Sequence, residues 1–265
     1  MINSNSEDKI PPETLLKLYV DFGIDETIGF KSKDYLTIPD RTEEDSGNID
    51  GIINNKLHKR GEVSSQETSR NFQTLDELRQ SLEGIKDFSL KLTSKNTVFA
   101  DGNPTSDLMV VGEAPGGEED LSGLPFVGPS GRLLDEMLSS IGFTRKNNIY
   151  ITNVIPWRPP GNRRPTPDEV NFCLPYLLQH IKIIKPKLLL LLGGLAGSSL
   201  LGKVDGITKY RGQWSELVIS DEGKDLKIPC LATFHPAYLL RSPHQRRLSW
   251  RDLLEVKEKL RSIVG

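Results

Sequence analysis

From about residue 96 the chain alternates short runs of leucine and β-branched residues with longer stretches whose apolar residues recur at helical spacing. This alternation constrains the fold more than any other feature, because two strands of one sheet joined through a helix pair in parallel. Four runs are strand-like: Leu108–Gly112, Ile149–Asn153, 188–193 and 229–233. The stretches between them carry helix boundaries. Ser130 reads as an N-cap before LLDEMLSSI, with Gly142 just past its end. Thr166-Pro167-Asp168-Glu169 is a capping box with proline at the first helical position, and Pro175 is placed to kink the helix that follows. A last amphipathic pattern over 248–263 turns Leu253, Leu254 and Leu260 inward. The expected fold class is α/β: a three-layer αβα sandwich on a central, mainly parallel four-stranded sheet, filling residues 76–265.

The N-terminal part reads differently. Residues 11–28 space Leu15, Leu16, Leu18, Tyr19 and Phe22 as one short helix, so 1–30 is expected to be a short helical segment. Residues 31–74 are rich in Ser, Asn, Asp, Glu and Lys with little apolar periodicity, the composition of a disordered linker. A helix over 75–86 then leads into the domain. Charge divides along the same line. Residues 1–75 carry 14 acidic and 9 basic side chains and the remainder 22 and 25, so the domain is mildly basic, a weak pointer to a nucleic-acid partner. The longest purely apolar run, Leu188–Leu192, is too short to span a bilayer, and the opening MINSNSEDKIPPE lacks the pattern of a secretory signal. A cytoplasmic, monomeric protein with no membrane partner is expected. Two cysteines, Cys173 and Cys230, are too few for a disulfide framework or a metal, and read as small buried hydrophobes.

Three of the strands run directly into the least ordinary sequence of the chain: EAPGGEED after Gly112, VIPWRPPGNRRP after Asn153, and FHPAYLLR after Thr233. Loops at the carboxyl ends of parallel strands converge on a ligand, so the site is expected there. Neither phosphate-binding glycine motif is present, no G-x-S-x-G supplies a nucleophile elbow, and His58, His180, His235 and His244 show no metal-ligand spacing. What remains is an aromatic ring (Phe126), a carboxamide (Asn153), an imidazole (His235) and carboxylates (Glu113, Glu119, Asp120). A ring stacks on a flat base and a carboxamide matches the donor and acceptor of a base edge, which is how a flipped nucleobase is read.

In this order, GEAPGGEED, GLPFVG, ITNVIPWRPPGNRRP with Cys173 downstream, and HPAYLLRSP resemble the family 4 uracil-DNA glycosylases over about residues 96–254. The resemblance implies a hydrolase that flips uracil out of DNA and cleaves its N-glycosidic bond, starting base-excision repair, with uracil-containing DNA as partner. It implies that Glu113, Ala114 and Gly116 line the pocket, that Phe126 stacks on uracil, that Asn153 reads the Watson–Crick edge, and that His235 faces O2 as the catalytic donor. Ala114 stands where better-known uracil glycosylases carry an aspartate, which leaves Glu113 and Glu119 both open as the group that orients water. Leu239, Leu240 and Arg241 would wedge into the duplex. Read from the residues alone, Arg158, Arg163 and Arg164 are either phosphate contacts or a solvent-exposed Arg- and Pro-rich turn.

The family binds a [4Fe–4S] cluster through four cysteines, but the matching positions here read Ile85, Phe88, Trp157 and Cys173. Such a cluster needs four thiolates, so no cluster and no other cofactor is expected, with apolar side chains filling the space. Two other functions stay open: a glycosylase for hypoxanthine or xanthine, and a non-catalytic lesion binder on the same fold.

Overall fold

The computed structural model describes residues 71–221 and 224–264, which fall in one compact unit, Ser64–Gly265. The helix expected over 11–28 lies outside the described residues, as does nearly all of the expected linker. Near the start of the described chain the ring of Phe72 stacks on Tyr176, centroids 6.3 Å apart.

Among the described residues one sheet holds β1 (Asp101–Gly102), β2 (Leu108–Gly112), β3 (Ile149–Asn153), β4 (Leu188–Leu192), β5 (Trp214–Asp221) and β6 (Lys224–Thr233), in the order β1-β3-β2-β4-β6-β5. The four strands expected from sequence are its inner, all-parallel part. The four-stranded expectation is corrected by two antiparallel edge strands, β1 beside β3 and β5 beside β6. β1 has two residues, too few to leave a periodic signal. β5 and β6 form a hairpin that begins well before residue 229, and its outer strand leaves Val218 half exposed while burying Leu217 and Ile219, the alternation of an edge.

The inner strands β2, β3 and β4 are buried at every position, and their alternate side chains feed two separate cores. Met109, Val111, Leu189 and Leu191 pack with Leu78, Tyr176, Ile181 and Ala196, from α1 (Leu75–Gly84), α5 (Pro167–Ile184) and α6 (Gly194–Leu201). On the opposite face Leu108, Val110, Leu190 and Leu192 pack with Leu134, Leu138, Leu253 and Val256, from α4 (Pro129–Ser139) and α9 (Arg246–Val264). Four further short α-helices are described: α2 (Ser89–Thr93), α3 (Gly117–Ser122), α7 (Ile207–Tyr210) and, following β6, α8 (Pro236–Arg241). The arrangement is three-layered.

Local corrections have local causes. The N-cap of α4 is Gly128, with Pro129 at the first helical position, so Ser130 lies inside the first turn. Thr166 and Glu169 do form the capping box, Thr166 Oγ1 accepting the Glu169 N–H at 3.2 Å and Glu169 accepting the Thr166 N–H at 2.8 Å. In α9 Leu253 and Leu260 face inward, but Leu254 is 41% exposed, because the residue after an inward one points about 100° further round the helix. No described helix is long and apolar enough to cross a membrane.

The positions that the resemblance aligns with cluster ligands lie in the core beneath α1 and α5. Trp157 is fully buried with its indole N–H donated to Thr97 Oγ1 at 3.0 Å, and Cys173 is buried with it. Phe88 packs against Trp157 at 5.3 Å and stacks on Phe172 at 4.1 Å, while Ile85 joins the same core. Burial pushes the Cys173 thiol far above its ordinary range, so it is no ready thiolate. These side chains do not fit an iron–sulfur cluster.

Candidate functional site

A cavity of about 430 Å³ opens where β2, β3 and β6 end. Glu113, Ala114 and Gly116 from the loop after β2, Glu119 from α3 and Phe126 from the loop beyond it all line the cavity. Asn153 from the end of β3, and His235 and Arg241 from the start and end of α8, line it as well.

The parallel register of β2 and β3 sets Asn153 beside Gly112. A Cβ on Gly112 would lie 2.4 Å from Asn153 Oδ1 and 2.4 Å from Phe126 Cζ, so only glycine leaves room for the ring and the carboxamide to close over the same backbone atom. Asn153 is 5% exposed, and its Oδ1 has no hydrogen-bond partner among the described residues. A buried carbonyl oxygen left unpaired costs about 1–3 kcal/mol, so its persistence points to a donor supplied from outside the chain. The Phe126 ring in turn lies 5.6 Å from the His235 ring at an interplanar angle of 30°. Aromatic plate, carboxamide and imidazole therefore face one space.

His235 caps α8, and its Nδ1 accepts the Ala237 N–H at 3.2 Å. A ring nitrogen that accepts carries no proton, so the neutral imidazole holds its proton on Nε2. Burial, reinforced by Arg241 and opposed by Glu119, pulls the His235 pKa down to about 4, so the neutral form prevails near pH 7.

The two glutamates differ sharply. Glu119 Oε2 accepts the N–H of Gly116 at 3.1 Å, and its Oε1 accepts those of Val127 and Gly128 at 3.0 and 2.9 Å. That carboxylate ties the loop after β2 to the loop bearing Phe126. Glu113 accepts no hydrogen bond through its carboxylate among the described residues, and burial raises its pKa against the pull of Arg164. Ala114 offers no polar side-chain atom to the cavity. Asp120 turns away from it, accepting the backbone N–H of Lys95 at 2.8 Å and of Asn96 at 3.2 Å.

The outer set is divided. Leu239, expected to enter the duplex, is fully buried against Leu133 and Phe234, which corrects that expectation: α8 turns this side chain into the core. Leu240, the next residue, is 40% exposed. Arg158 lies outside the cavity lining, donating to Asn162 Oδ1 at 2.7 Å with its guanidinium against Gly117. Arg163 reaches the cavity while paired with Glu169, and Arg164 lies outside it. Ser130, Pro159, Asn162 and Tyr238 also line the space and were not assigned a site role from sequence; the last three lie inside the quoted motifs and Ser130 just beyond GLPFVG, so membership of those loops was the available signal.

A family profile described as the uracil DNA glycosylase superfamily matches residues 99–255. A type-4 uracil-DNA glycosylase of Archaeoglobus fulgidus is 37% identical over 190 residues, covering 70% of this chain and 93% of that protein. Another, of Thermotoga maritima, is 43% identical over 171 residues, covering 63% and 85%. A type-5 uracil-DNA glycosylase of Pyrobaculum aerophilum is more distant, at 29% over 180 residues, 62% of this chain and 75% of that protein. The match therefore spans the sheet and every loop that builds the cavity, and by it this chain belongs to the uracil-DNA glycosylase superfamily, on its type-4 branch.

Proposed function

We propose that this protein excises uracil from DNA by hydrolysing the N-glycosidic bond, the flipped base lying between Phe126 and Asn153 with O2 toward His235. The observation that carries the proposal is the unpartnered Asn153 Oδ1 in a cavity shared with a stacking ring and an Nε2–H donor. Uracil presents an N3–H donor beside the O4 acceptor, which a carboxamide satisfies with Oδ1 and Nδ2–H respectively. Cytosine has a bare N3 and an amino group at that edge, leaving both halves of the amide mismatched at about 1–3 kcal/mol each.

In the reaction the C1′–N1 bond breaks with its electron pair leaving on the base, so negative charge gathers on the uracil O2 while the sugar becomes cationic. A neutral Nε2–H donor held at O2 stabilises that developing charge with little reorganisation. Water then attacks C1′ and gives its proton to a carboxylate. Glu113 is assigned that role, because its oxygens accept no hydrogen bond among the described residues where those of Glu119 already accept three backbone N–H bonds. Arg241 at the cavity rim and the exposed Leu240 are assigned to the DNA strand and the vacated stack. Because three of the four positions aligned with cluster ligands carry no thiol and pack as apolar core, the protein is proposed to work without an iron–sulfur cluster.

Oligonucleotides carrying uracil, hypoxanthine or xanthine, treated with the protein and then with alkali, test the proposal. Strand scission at uracil is expected. Scission confined to the purine lesions would replace it with the second enzyme, and binding without any scission would replace it with a lesion binder.

A further inference from the structure

Phe126 holds a left-handed backbone, φ 54°, which a residue with a Cβ keeps only where its surroundings impose it. Three contacts do so. Glu119 takes the N–H groups of Val127 and Gly128 on one side. In the first turn of α4, Gly131 lets the Phe126 carbonyl come so close that a Cβ would lie 1.8 Å from its oxygen. From the loop after α4, Arg145 donates one guanidinium nitrogen to the Pro125 carbonyl at 2.6 Å and the other to the Phe126 carbonyl. The guanidinium is itself aimed: its Nε donates to Asp135 on α4 at 2.8 Å, and the nitrogen on Pro125 also donates to Asp101 on β1 at 3.0 Å. Its side chain is 17% exposed, and neither it nor either aspartate lines the cavity.

We infer that Arg145, oriented by Asp101 and Asp135, is a positioning residue for base excision: by gripping the two carbonyls at Phe126 it sets the plane on which the base stacks. The Cα–Cβ direction follows from the orientation of the flanking peptides, so a grip on those peptides fixes the ring without touching it. Only a planar fork reaches two adjacent carbonyls and two carboxylates at once, which distinguishes arginine from lysine here. The inference rests on the glycosylase reading and deepens it.

The test compares wild type, Arg145→Ala, Phe126→Ala and the double variant in single-turnover excision, with affinity for free uracil measured by calorimetry and the thermal midpoint recorded for each. Arg145→Ala is expected to slow excision roughly ten- to a hundredfold, as misplacement of a contact by about an ångström does. It should weaken uracil binding in parallel, and add nothing once the Phe126 ring is gone. Losses that multiply in the double variant overturn the inference, as does a folded Arg145→Ala protein that excises at the wild-type rate. Arg145→Lys keeps the charge and serves where the alanine variant does not fold: partial activity supports the inference and full activity overturns it. Should wild type release no uracil, the glycosylase reading fails. The grip on Phe126 is then judged on base binding alone, supported by lost uracil affinity in Arg145→Ala and overturned by unchanged affinity.

Discussion

Glu113 and Glu119 line one cavity from the same stretch of chain, yet Glu119 accepts three backbone N–H bonds while Glu113, among the described residues, accepts none. Substitution should separate them. Glu119→Gln loses charge-assisted acceptors at the loop junction and is expected to lower stability by about 1–3 kcal/mol, with activity falling alongside. Glu113→Gln removes a carboxylate whose ionised form burial already disfavours, so its thermal midpoint should hold or rise. Excision by that variant should drop by roughly a hundredfold, the scale of a lost general base. Thermal denaturation beside single-turnover rates distinguishes the two.

The pH dependence of excision follows from the same groups. The reaction needs Glu113 ionised, with its pKa raised by burial, and His235 neutral, with its pKa near 4. Both requirements fail in acid, and His235 is already neutral near pH 7. The rate should therefore fall as pH drops, ultimately with two protons taken up. In Glu113→Gln one of those protons is gone, and the acid limb should become shallower.

Stability should respond to acid through His180. This ring is buried, stacks on Phe99 at 4.6 Å and meets the Tyr150 hydroxyl at 2.8 Å, and burial, with Arg79 adding to it, lowers its pKa from 6.5 to about 3. The unfolded chain takes up a proton that the folded chain refuses. The contribution is whole above about pH 6.5 and is lost as pH falls toward 3, at up to about 1.4 kcal/mol per pH unit. His180→Gln should show a shallower decline of stability than wild type between those values in denaturant titrations.

Neighbouring leucines on α8 should behave as opposites. Leu239→Ala opens a void beside Leu133 and Phe234 and is expected to destabilise the fold by about 2–5 kcal/mol. Leu240→Ala should leave the thermal midpoint unchanged and slow excision from duplex more than from single-stranded DNA, since only a duplex has a stack to fill. Equal losses on both substrates would count against the wedge.

The aromatic core at Phe88, Trp157 and Phe172 leads to a metal prediction. Iron analysis of the purified protein should find none in stoichiometric amount, and exposure to a strong chelator should change neither thermal midpoint nor excision rate.

What could be read in the sequence was whatever a short run of residues decides on its own. Apolar strand runs bounded by loops exposed the parallel centre of the sheet, and the unusual loops after them brought Glu113, Phe126, Asn153 and His235 to one cavity. β1 escaped because its two residues pair with a strand far along the chain, and β5, although it turns straight back into β6, escaped because an edge strand alternates buried and exposed positions instead of running apolar. The roles of Leu239 and Leu240 depend on how α8 is rotated against α4, which the motif HPAYLLR does not state. Arg145 escaped for the same reason. Nothing local marks it, and its meaning comes from carbonyls 19 and 20 residues earlier in the chain.

The central claim is that one uracil is held by Phe126, Asn153 and His235 together, and the rate of uracil release by Asn153→Ala against wild type tests it most directly. Loss of roughly a hundredfold or more is predicted, with a thermal midpoint that holds or rises because an unpaired buried oxygen has been removed. A folded variant that releases uracil at the wild-type rate would contradict the account.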